Sequence, residues 1–294
     1  MKKQTLFGIC GVLMTTLACT VSAITPITPT PVDQVGTIVA ATMQALTATS
    51  DQGGSTPVST QFSGTPISLQ NVSFVIPNGL ASGANPETMT AVDTNSGAPW
   101  EIAPTHLRFT LTGYQLQGKF FEPQIYVYPA DEYAQANPGA AESIDRLQKI
   151  LAGGALLKET LPNVPFFNAA PLLAANIQLI KFQGGSGVRE LTQYDQYAAP
   201  VNNHELFYHF EGLTSDNRFY VIAILPITAP ILAEDEKPES PVPTGGIPLP
   251  PNTGPNDVYY ISVTQKLNAL SPDNYTPSLN GLDALIQSIV VTNP

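Results

Sequence analysis

Residues 203–227 read NHELFYHFEGLTSDNRFYVIAILPI, and this stretch decides the fold of the chain. It contains two long apolar runs of strand-forming residues, and the polar segment between them has Asp216-Asn217 as its most favourable turn. Pro226 ends the second run, because proline lacks the N–H group that a central strand must donate. The stretch therefore predicts an antiparallel hairpin at the core of one domain.

The segments around this hairpin predict the rest of the domain. Strands are expected at residues 67–76, 107–112, 125–128, 177–182 and 188–192, and a long surface loop at residues 79–99. Helices are expected at residues 137–153, capped by Asn137, and as a final pair at residues 260–270 and 282–289, with Asn280 as a cap. The predicted class is α+β, with a mixed, largely antiparallel sheet of about six or seven strands covered on one side by about three helices.

The composition is typical of an extracellular, loop-rich protein. Only 12% of the residues are charged, about half the usual roughly 25%, and 28 of the 294 residues are proline. The net charge is −11 and no basic cluster is present, whereas binding to nucleic acid requires concentrated Lys and Arg. We therefore expect no nucleic acid among the partners.

The first residues have the features of an export signal. Lys2 and Lys3 precede an apolar run at residues 6–17, which is too short to span a bilayer comfortably. Residues 17–19, Leu-Ala-Cys, resemble the lipobox of bacterial lipoproteins, although Thr16 stands where that family usually has Leu. This resemblance implies cleavage before Cys19 and attachment of a lipid to that cysteine, so that the membrane is a partner through the N-terminal lipid.

A second cleavage site remains open. Val21-Ser22-Ala23 fits the small-x-small site of ordinary signal peptidase, which would leave a soluble secreted protein that begins at Ile24. We prefer cleavage before Cys19, because a Pro/Thr-rich tether follows at once. Cys10 lies inside the signal, so the mature chain cannot form an internal disulfide or a cysteine-based zinc site.

The chain divides into three parts by composition. Residues 1–23 are the expected signal peptide, and residues 24–65 a flexible stalk with Pro/Thr-rich and Gly/Ser-rich sections. Apolar residues at helical spacing within residues 32–46 indicate a short helix in the stalk. Residues 66–294 are the expected single domain, with a disordered proline-rich loop at about residues 230–256.

The chain contains no recognisable catalytic or metal motif. His204, Glu205 and His209 approach the zinc motif H-E-x-x-H, but the histidines are five residues apart on a predicted strand, which points them to opposite faces. Residues 184–187, Gly-Gly-Ser-Gly, lack the ending of a phosphate-binding loop and are expected to form a hairpin turn. We expect no metal, no cofactor and no catalytic residue.

Carboxylates and aromatic residues provide the remaining candidates. Acidic side chains suited to a glycosidase are present, but no pattern brings two of them together; these are Asp131, Glu132, Asp195, Glu205, Glu211 and Asp216. The acidic run at residues 234–236 is interpreted as a solvated loop. An aromatic platform for sugars or peptides is a second interpretation, with Arg189 to meet an anionic group; its members would be Tyr194, Tyr197, Phe166 and Phe167.

Residues 187–227 and the C-terminal SLNGLDALIQSIVV at residues 278–291 resemble a recurring domain of uncharacterised bacterial cell-envelope lipoproteins. The stalk TPTPVDQVGTIVAATMQAL at residues 28–46 is similar to stalks of such proteins from Chloroflexi-type bacteria. A strand-rich sheet with a closing helix is also similar to PsbP/Mog1-like domains. The resemblance implies a location at the cell envelope and no mechanism.

These observations predict an exported, lipid-anchored envelope protein with a binding or structural role and without enzymatic activity. Its ligand is expected to be a protein, a peptide or a glycan. The alternative is a secreted hydrolase that acts on an envelope or extracellular polymer through carboxylates that only the fold brings together.

Overall fold

A seven-stranded antiparallel sheet organises the described part of the chain. The computed structural model describes residues 62–163, 168–250, 254 and 258–293. The predicted signal peptide, the lipidation site Cys19, the cleavage site at Ala23 and the predicted stalk helix lie outside these residues. Residues Thr60–Pro294 form one compact unit.

The described residues form twelve strands and four α-helices. The strands are β1 (Gly64–Leu69), β2 (Val72–Pro77), β3 (Gly83–Met89), β4 (His106–Thr112), β5 (Gln124–Pro129), β6 (Ala170–Pro171), β7 (Ala175–Phe182), β8 (Gly185–Thr192), β9 (Tyr194–Asp195), β10 (Phe207–Thr214), β11 (Phe219–Pro226) and β12 (Val290–Val291). The helices are α1 (Ala130–Ala136), α2 (Pro138–Leu151), α3 (Val258–Asn268) and α4 (Leu279–Gln287). The predicted α+β class is therefore confirmed, and the main sheet of seven strands agrees with the predicted six or seven.

The central hairpin lies in the middle of the large sheet. The strand order is β3-β4-β5-β11-β10-β8-β7, and all six neighbouring pairs are antiparallel. Strands β10 and β11 pair from Phe207 opposite Pro226 to Leu213 opposite Tyr220, and Asn217 in their turn has a φ of 59°. Asparagine tolerates this left-handed conformation better than most residues, as the predicted Asp216-Asn217 turn requires. The first strand begins at Phe207 instead of near Asn203.

Helices cover both faces of the sheet, which corrects the prediction of a one-sided layer. All eight residues of β10 are buried, so neither face of this strand meets solvent. Side chains of α1 and α2 pack with Leu213, Tyr220 and Ile222 on one face, which we call the α1–α2 face. Side chains of α3, α4 and β2 pack with Phe210 and Ala223 on the other, which we call the α3–α4 face. The apolar runs of the hairpin are continuous because each strand is covered twice.

Several local elements differ from the sequence expectation. Residues 67–76 form two strands instead of one, because the chain turns at Gln70, whose φ is 52°. The expected loop at residues 79–99 contains β3, an edge strand with mostly exposed side chains that show no apolar alternation. Helix α4 is capped by Ser278, whose hydroxyl accepts a hydrogen bond from the Gly281 N–H, and Asn280 lies inside the helix.

The proline-rich segment was expected to be disordered at about residues 230–256. The structure describes it as far as residue 250, and its first part is held against the domain by backbone bonds. The Asn203 N–H donates to the Ala233 carbonyl at 2.8 Å, and the Thr228 N–H donates to the Thr276 carbonyl at 2.7 Å. Leu232 is buried in the core. Burial of this side chain explains how the segment is held without regular secondary structure.

Candidate functional site

Two clusters of ionisable side chains lie near one another in the chain but in different environments. The first is buried within the sheet, and we call Glu190, His209 and Glu211 the buried Glu–His–Glu cluster. His209 on β10 is the register partner of Glu190 on β8, and Glu211 follows two residues later on the same face of β10. Strand geometry therefore places all three side chains together on the α1–α2 face.

The distances within the buried cluster are those of ion pairs. The Nδ1 atom of His209 lies 3.3 Å from Oε1 of Glu190, and its Nε2 atom lies 3.2 Å from Oε1 of Glu211. The three side chains are only 2%, 7% and 1% exposed, in the order His209, Glu190, Glu211. The hydroxyl of Tyr220 on β11 donates a hydrogen bond to Glu211. An imidazole held between two carboxylates is strongly favoured in its charged form.

Burial and charge act in opposite directions on this cluster. Burial alone lowers the pKa of His209, but the hydrogen bonds and charges of Glu190 and Glu211 outweigh it and raise the pKa to about 9. Burial also raises the pKa of Glu190, with His209 as the opposing influence. At neutral pH the imidazole is therefore charged. Each side chain of the cluster is more than nine-tenths buried, so we assign the cluster no catalytic role.

The second cluster lies at the end of the sheet, in the loops that precede and follow the central hairpin. Asp195 on β9, Glu205 before β10 and Glu236 in the proline-rich segment each offer a carboxylate oxygen within 4.8 Å of the others, and we call them the acidic surface cluster. Glu205 accepts hydrogen bonds from the amides of Gln193 at 2.8 Å and Asn202 at 2.9 Å. Gln193 and Asn202 are fully buried, so they hold this carboxylate in a defined position.

The electrostatics of the acidic surface cluster reflect three like charges at close range. Partial burial raises the pKa of Asp195, and the charge of Glu236 adds to this effect. Partial burial also raises the pKa of Glu205, with the charges of Asp195 and Glu236 acting in the same direction. Three carboxylate oxygens are ligands of the type that Ca²⁺ prefers, but exposed acidic groups are common without an ion.

One exposed aromatic ring contacts the acidic surface cluster, and a second lies beside His204, the residue that precedes Glu205. The Tyr197 side chain is 58% exposed, and its hydroxyl donates a 2.5 Å hydrogen bond to Glu236. Phe120 is 60% exposed, and its ring centroid lies 6.2 Å from that of His204, the neighbour of Glu205 in the chain. The Phe120 N–H also donates to the His204 carbonyl at 2.9 Å. The combined surface, which we call the aromatic–acidic surface, therefore presents two rings and three carboxylates to solvent.

The structure separates the residues of the predicted histidine motif. His204 lies in a turn before the strand, whereas His209 lies on the strand and is buried. His204 is near Phe120, and His209 is held by Glu190 and Glu211. The sequence predicted that both histidines lie on one strand and point to opposite faces. This prediction was wrong, because the strand begins only at Phe207 and His204 precedes it.

Of the four residues of the predicted aromatic platform, only Tyr197 is exposed in the described part of the chain. Tyr194 is buried, and its hydroxyl donates a hydrogen bond to Asn163. Tyr197 is exposed, while Phe166 and Phe167 lie outside the described residues. Phe120 was not predicted from the sequence, because the Phe120-Phe121 pair lies in a loop and gives no periodic signal.

Arg189, expected to meet an external anionic group, is buried on the α3–α4 face. Its guanidinium forms an ion pair with Asp283 of α4, at 3.2 Å from Nε to Oδ1. The anion that it binds is thus part of the same chain, which corrects the expectation from the sequence.

The structure places the carboxylates named from the sequence in three different environments. Asp195 and Glu205 meet in the acidic surface cluster, and Glu211 lies in the buried cluster. Asp131 and Glu132 lie in the first turn of α1, and the Asp216 carboxylate accepts a 2.6 Å hydrogen bond from Thr214 in the hairpin turn. Sequence reasoning missed Glu190, although its position opposite His209 follows once the β8–β10 register is known.

A comparison of this chain with protein-family models, curated proteins and solved structures found no match. Interpretation of the two clusters therefore rests on the chain itself. Within the described residues, every helix is too short or too polar to cross a bilayer.

Proposed function

We propose that this chain is exported, is held at the cell envelope by a lipid on Cys19, and acts by binding an extracellular ligand. The single observation that carries the proposal is the order of features at the N-terminus. A charged start, an apolar run, Leu-Ala-Cys and a Pro/Thr-rich tether follow one another within residues 1–31. This order is that of a domain held away from a membrane by a stalk.

The aromatic–acidic surface supports the binding role. Its exposed rings, Tyr197 and Phe120, offer apolar faces, and the neighbouring carboxylates accept hydrogen bonds. Carbohydrates present apolar C–H faces and many hydroxyl donors, so this combination fits a glycan best. We propose a glycan as the ligand, and binding of a basic peptide is an alternative outcome of the test.

Analysis of the mature N-terminus tests the anchor. Mass spectrometry of the protein from a lipoprotein-processing bacterial host should find a peptide that begins with acylated Cys19. The variant Cys19→Ser should lose the lipid and leave the membrane fraction, whereas the matched control Cys10→Ser should keep it, because Cys10 is removed with the signal. An unmodified N-terminus at Ile24 would overturn the lipid anchor.

Immobilised ligands test the surface. The purified domain should bind one or more members of a panel of neutral oligosaccharides, and Tyr197→Ala and Phe120→Ala should each weaken that binding about tenfold, as is usual for an aromatic anchor. Leu179→Ala, which removes a 47% exposed side chain from β7, is the matched control and should bind as the wild type does. If the domain binds basic peptides but no oligosaccharide, the ligand is a peptide and not a glycan. If all variants bind equally well, the aromatic–acidic surface is not the binding surface.

A hydrolase is the second candidate function, favoured by one observation. Asp195, Glu205 and Glu236 lie close together, and the pKa values of the first two are raised, as the general acid of a glycosidase requires. Incubation of any oligosaccharide that binds, followed by mass analysis, separates the two functions. Intact oligosaccharide supports binding alone, whereas shortened products that disappear in Glu205→Gln would establish hydrolysis.

A further inference from the structure

The buried Glu–His–Glu cluster is a costly feature that the binding role does not use. Three ionisable side chains lie inside the domain, and each is at least nine-tenths buried. Removing charges from water is strongly unfavourable, and their mutual attraction compensates only when the partners remain paired. The arrangement is therefore sensitive to the loss of a single proton.

The α1–α2 pair packs on the face of the sheet that carries the cluster, with Tyr133 near Glu211, while the rings of Tyr194 and Phe207 lie 6.2 Å and 5.7 Å from that of His209. Tyr133 of α1 is buried, and its ring stacks on Tyr128 of β5 at a centroid distance of 4.2 Å. Helix α2 packs on β8 and β10 with side chains that carry no ionisable group; these are Ala140, Ser143, Ile144, Leu147 and Ile150. No charge from α2 therefore compensates a change in the cluster.

The other ionisable groups around the cluster are few. They are Tyr220 from β11, Tyr194 from β9, Tyr126 and Tyr128 from β5, Tyr133 from α1 and Lys158 from a 3-10 turn. Burial raises the pKa of each of these tyrosines, so they remain neutral near pH 9. The Lys158 ammonium donates to the Leu172 carbonyl at 2.8 Å instead of to a carboxylate. His209 is thus the group in the cluster whose charge balances the two carboxylates.

Loss of the His209 proton leaves two buried carboxylates without a cation between them. This state is stabilised if water reaches the carboxylates. The strands on either side are joined by continuous backbone ladders, whereas the α1–α2 pair is joined to the sheet mainly by side-chain packing and by the Ala130 N–H, which donates to the Arg218 carbonyl. The boundary between this helix pair and the sheet is therefore where we expect water to enter.

We propose that the buried Glu–His–Glu cluster is a pH-sensitive switch, which holds the α1–α2 pair on the sheet while His209 is charged and loosens it when the proton leaves. The inference goes beyond the proposed binding role and does not depend on it. It concerns a local opening, because the strand register places all three residues on the α1–α2 face and none on the α3–α4 face.

Hydrogen exchange of the intact mature protein tests the switch. After correction for the intrinsic exchange rate, protection of residues 130–151 should fall at least about tenfold between pH 6 and pH 9.5, because the opened state binds fewer protons. Protection of residues 83–89, which lie in the exposed edge strand β3 and exchange through local fraying instead of global unfolding, should change much less. Equal loss in both segments, or no loss in residues 130–151, would overturn the proposal.

Three variants identify the group responsible. His209→Gln removes the titrating group and should abolish the pH dependence of residues 130–151. If this variant does not fold, Glu190→Gln provides the test, because one carboxylate fewer should move the loss of protection to lower pH by about one pH unit. Glu142→Gln, on the exposed side of α2, is the matched control and should leave the profile unchanged.

NMR titration of the three histidines gives an independent measurement. His209 should titrate far above His106, because burial lowers the pKa of His106. Titration of His209 below pH 7 would overturn the proposal, whatever the exchange data show.

Discussion

The guanidinium of Arg189 on β8 forms a two-point ion pair with the carboxylate of Asp283 on α4, with 3.2 Å from Nε to Oδ1 and 3.3 Å from Nη2 to Oδ2. The Tyr208 hydroxyl donates to the same carboxylate at 2.9 Å, and Gln178 accepts a 2.8 Å hydrogen bond from Nη2 of Arg189. Asn176 also accepts a hydrogen bond from Arg189 through its backbone carbonyl. This network joins α4 to the sheet and orients the helix on the α3–α4 face.

Removal of Asp283 should therefore destabilise the domain strongly. Asp283→Ala leaves Arg189, which is only 5% exposed, without its counter-ion, and breaking a buried pair in this way costs about 3 kcal/mol or more. Asp145→Ala is the matched control, because its pair with Lys149 is exposed on both sides and should contribute less than about 0.5 kcal/mol. Urea unfolding measures both free energies. Equal effects of the two variants would show that the buried network does not stabilise the domain.

Gly212 on β10 leaves room for the ring of Phe210. A Cβ atom at this position would lie 2.6 Å from Cζ of Phe210 and 2.9 Å from Cε1 of Phe182, and Phe210 is fully buried and cannot move away. Gly212→Ala should lower the free energy of unfolding by about 1–3 kcal/mol, the usual effect of overpacking. Gly83→Ala is the control, because its Cβ would meet only Thr112 Oγ1, at 3.3 Å. A Gly212→Ala variant as stable as wild type would contradict this packing.

Asn137 does more than cap α2. Its side-chain oxygen accepts from the N–H groups of Gly139 and Ala140, and its amide nitrogen donates to the carbonyls of Pro99 and Ile102. Loss of an ordinary cap costs about 1 kcal/mol, and loss of the two further buried bonds should raise the effect of Asn137→Ala to about 2–3 kcal/mol.

Two variants separate the contributions of Asn137. Ser278→Ala removes a cap with a single accepted bond, from the Gly281 N–H, and should cost about 1 kcal/mol. Asn137→Ser keeps an accepting oxygen for the cap but loses the two donated bonds, so its stability should lie between Asn137→Ala and wild type. Thermal unfolding followed by circular dichroism provides the comparison. A smaller effect for Asn137→Ala than for Ser278→Ala would contradict the role of the two donated bonds.

The global stability of the domain should depend on pH in a direction set by His209. Its folded pKa, about 9, lies above the unfolded value of roughly 6.5, so the folded state binds the proton more tightly. The corresponding stabilisation is fully present below pH 6.5 and is lost as pH rises through 9. It amounts to about 3 kcal/mol for this buried group. Denaturant unfolding at pH 6 and pH 9.5 measures it, and His209→Gln should flatten the difference.

The sequence predicted those strands and helices whose apolar periodicity, turn residues and caps all lie within one short segment. The central hairpin has two apolar runs and an Asp-Asn turn, and α2 has Asn137 as a cap followed by a proline, so both were found. Strand β3 was missed because its sequence, GANPETM, lacks apolar alternation; it forms as an edge strand through pairing with β4. Helix α1 was missed for a similar reason, since only two of its seven residues are buried.

The candidate sites were much harder to predict than the fold. His209 and Glu190 are 19 residues apart, and Asp195 and Glu236 are brought together from distant parts of the chain. No spacing rule connects such residues, because their distance depends on strand register and loop path. The export signal and the lipid on Cys19 remain predictions, to be tested at the mature N-terminus.

The amino-acid sequence alone determined the class of the domain and its central hairpin, because hydrophobic periodicity and turn residues act over a few neighbouring positions. Only the tertiary structure decided that helices cover both faces, that Arg189 meets Asp283, and that His209 lies between two glutamates. Each of these depends on which strands and helices become neighbours. That choice is made by burial of the whole apolar surface at once, so it cannot be read from any single segment.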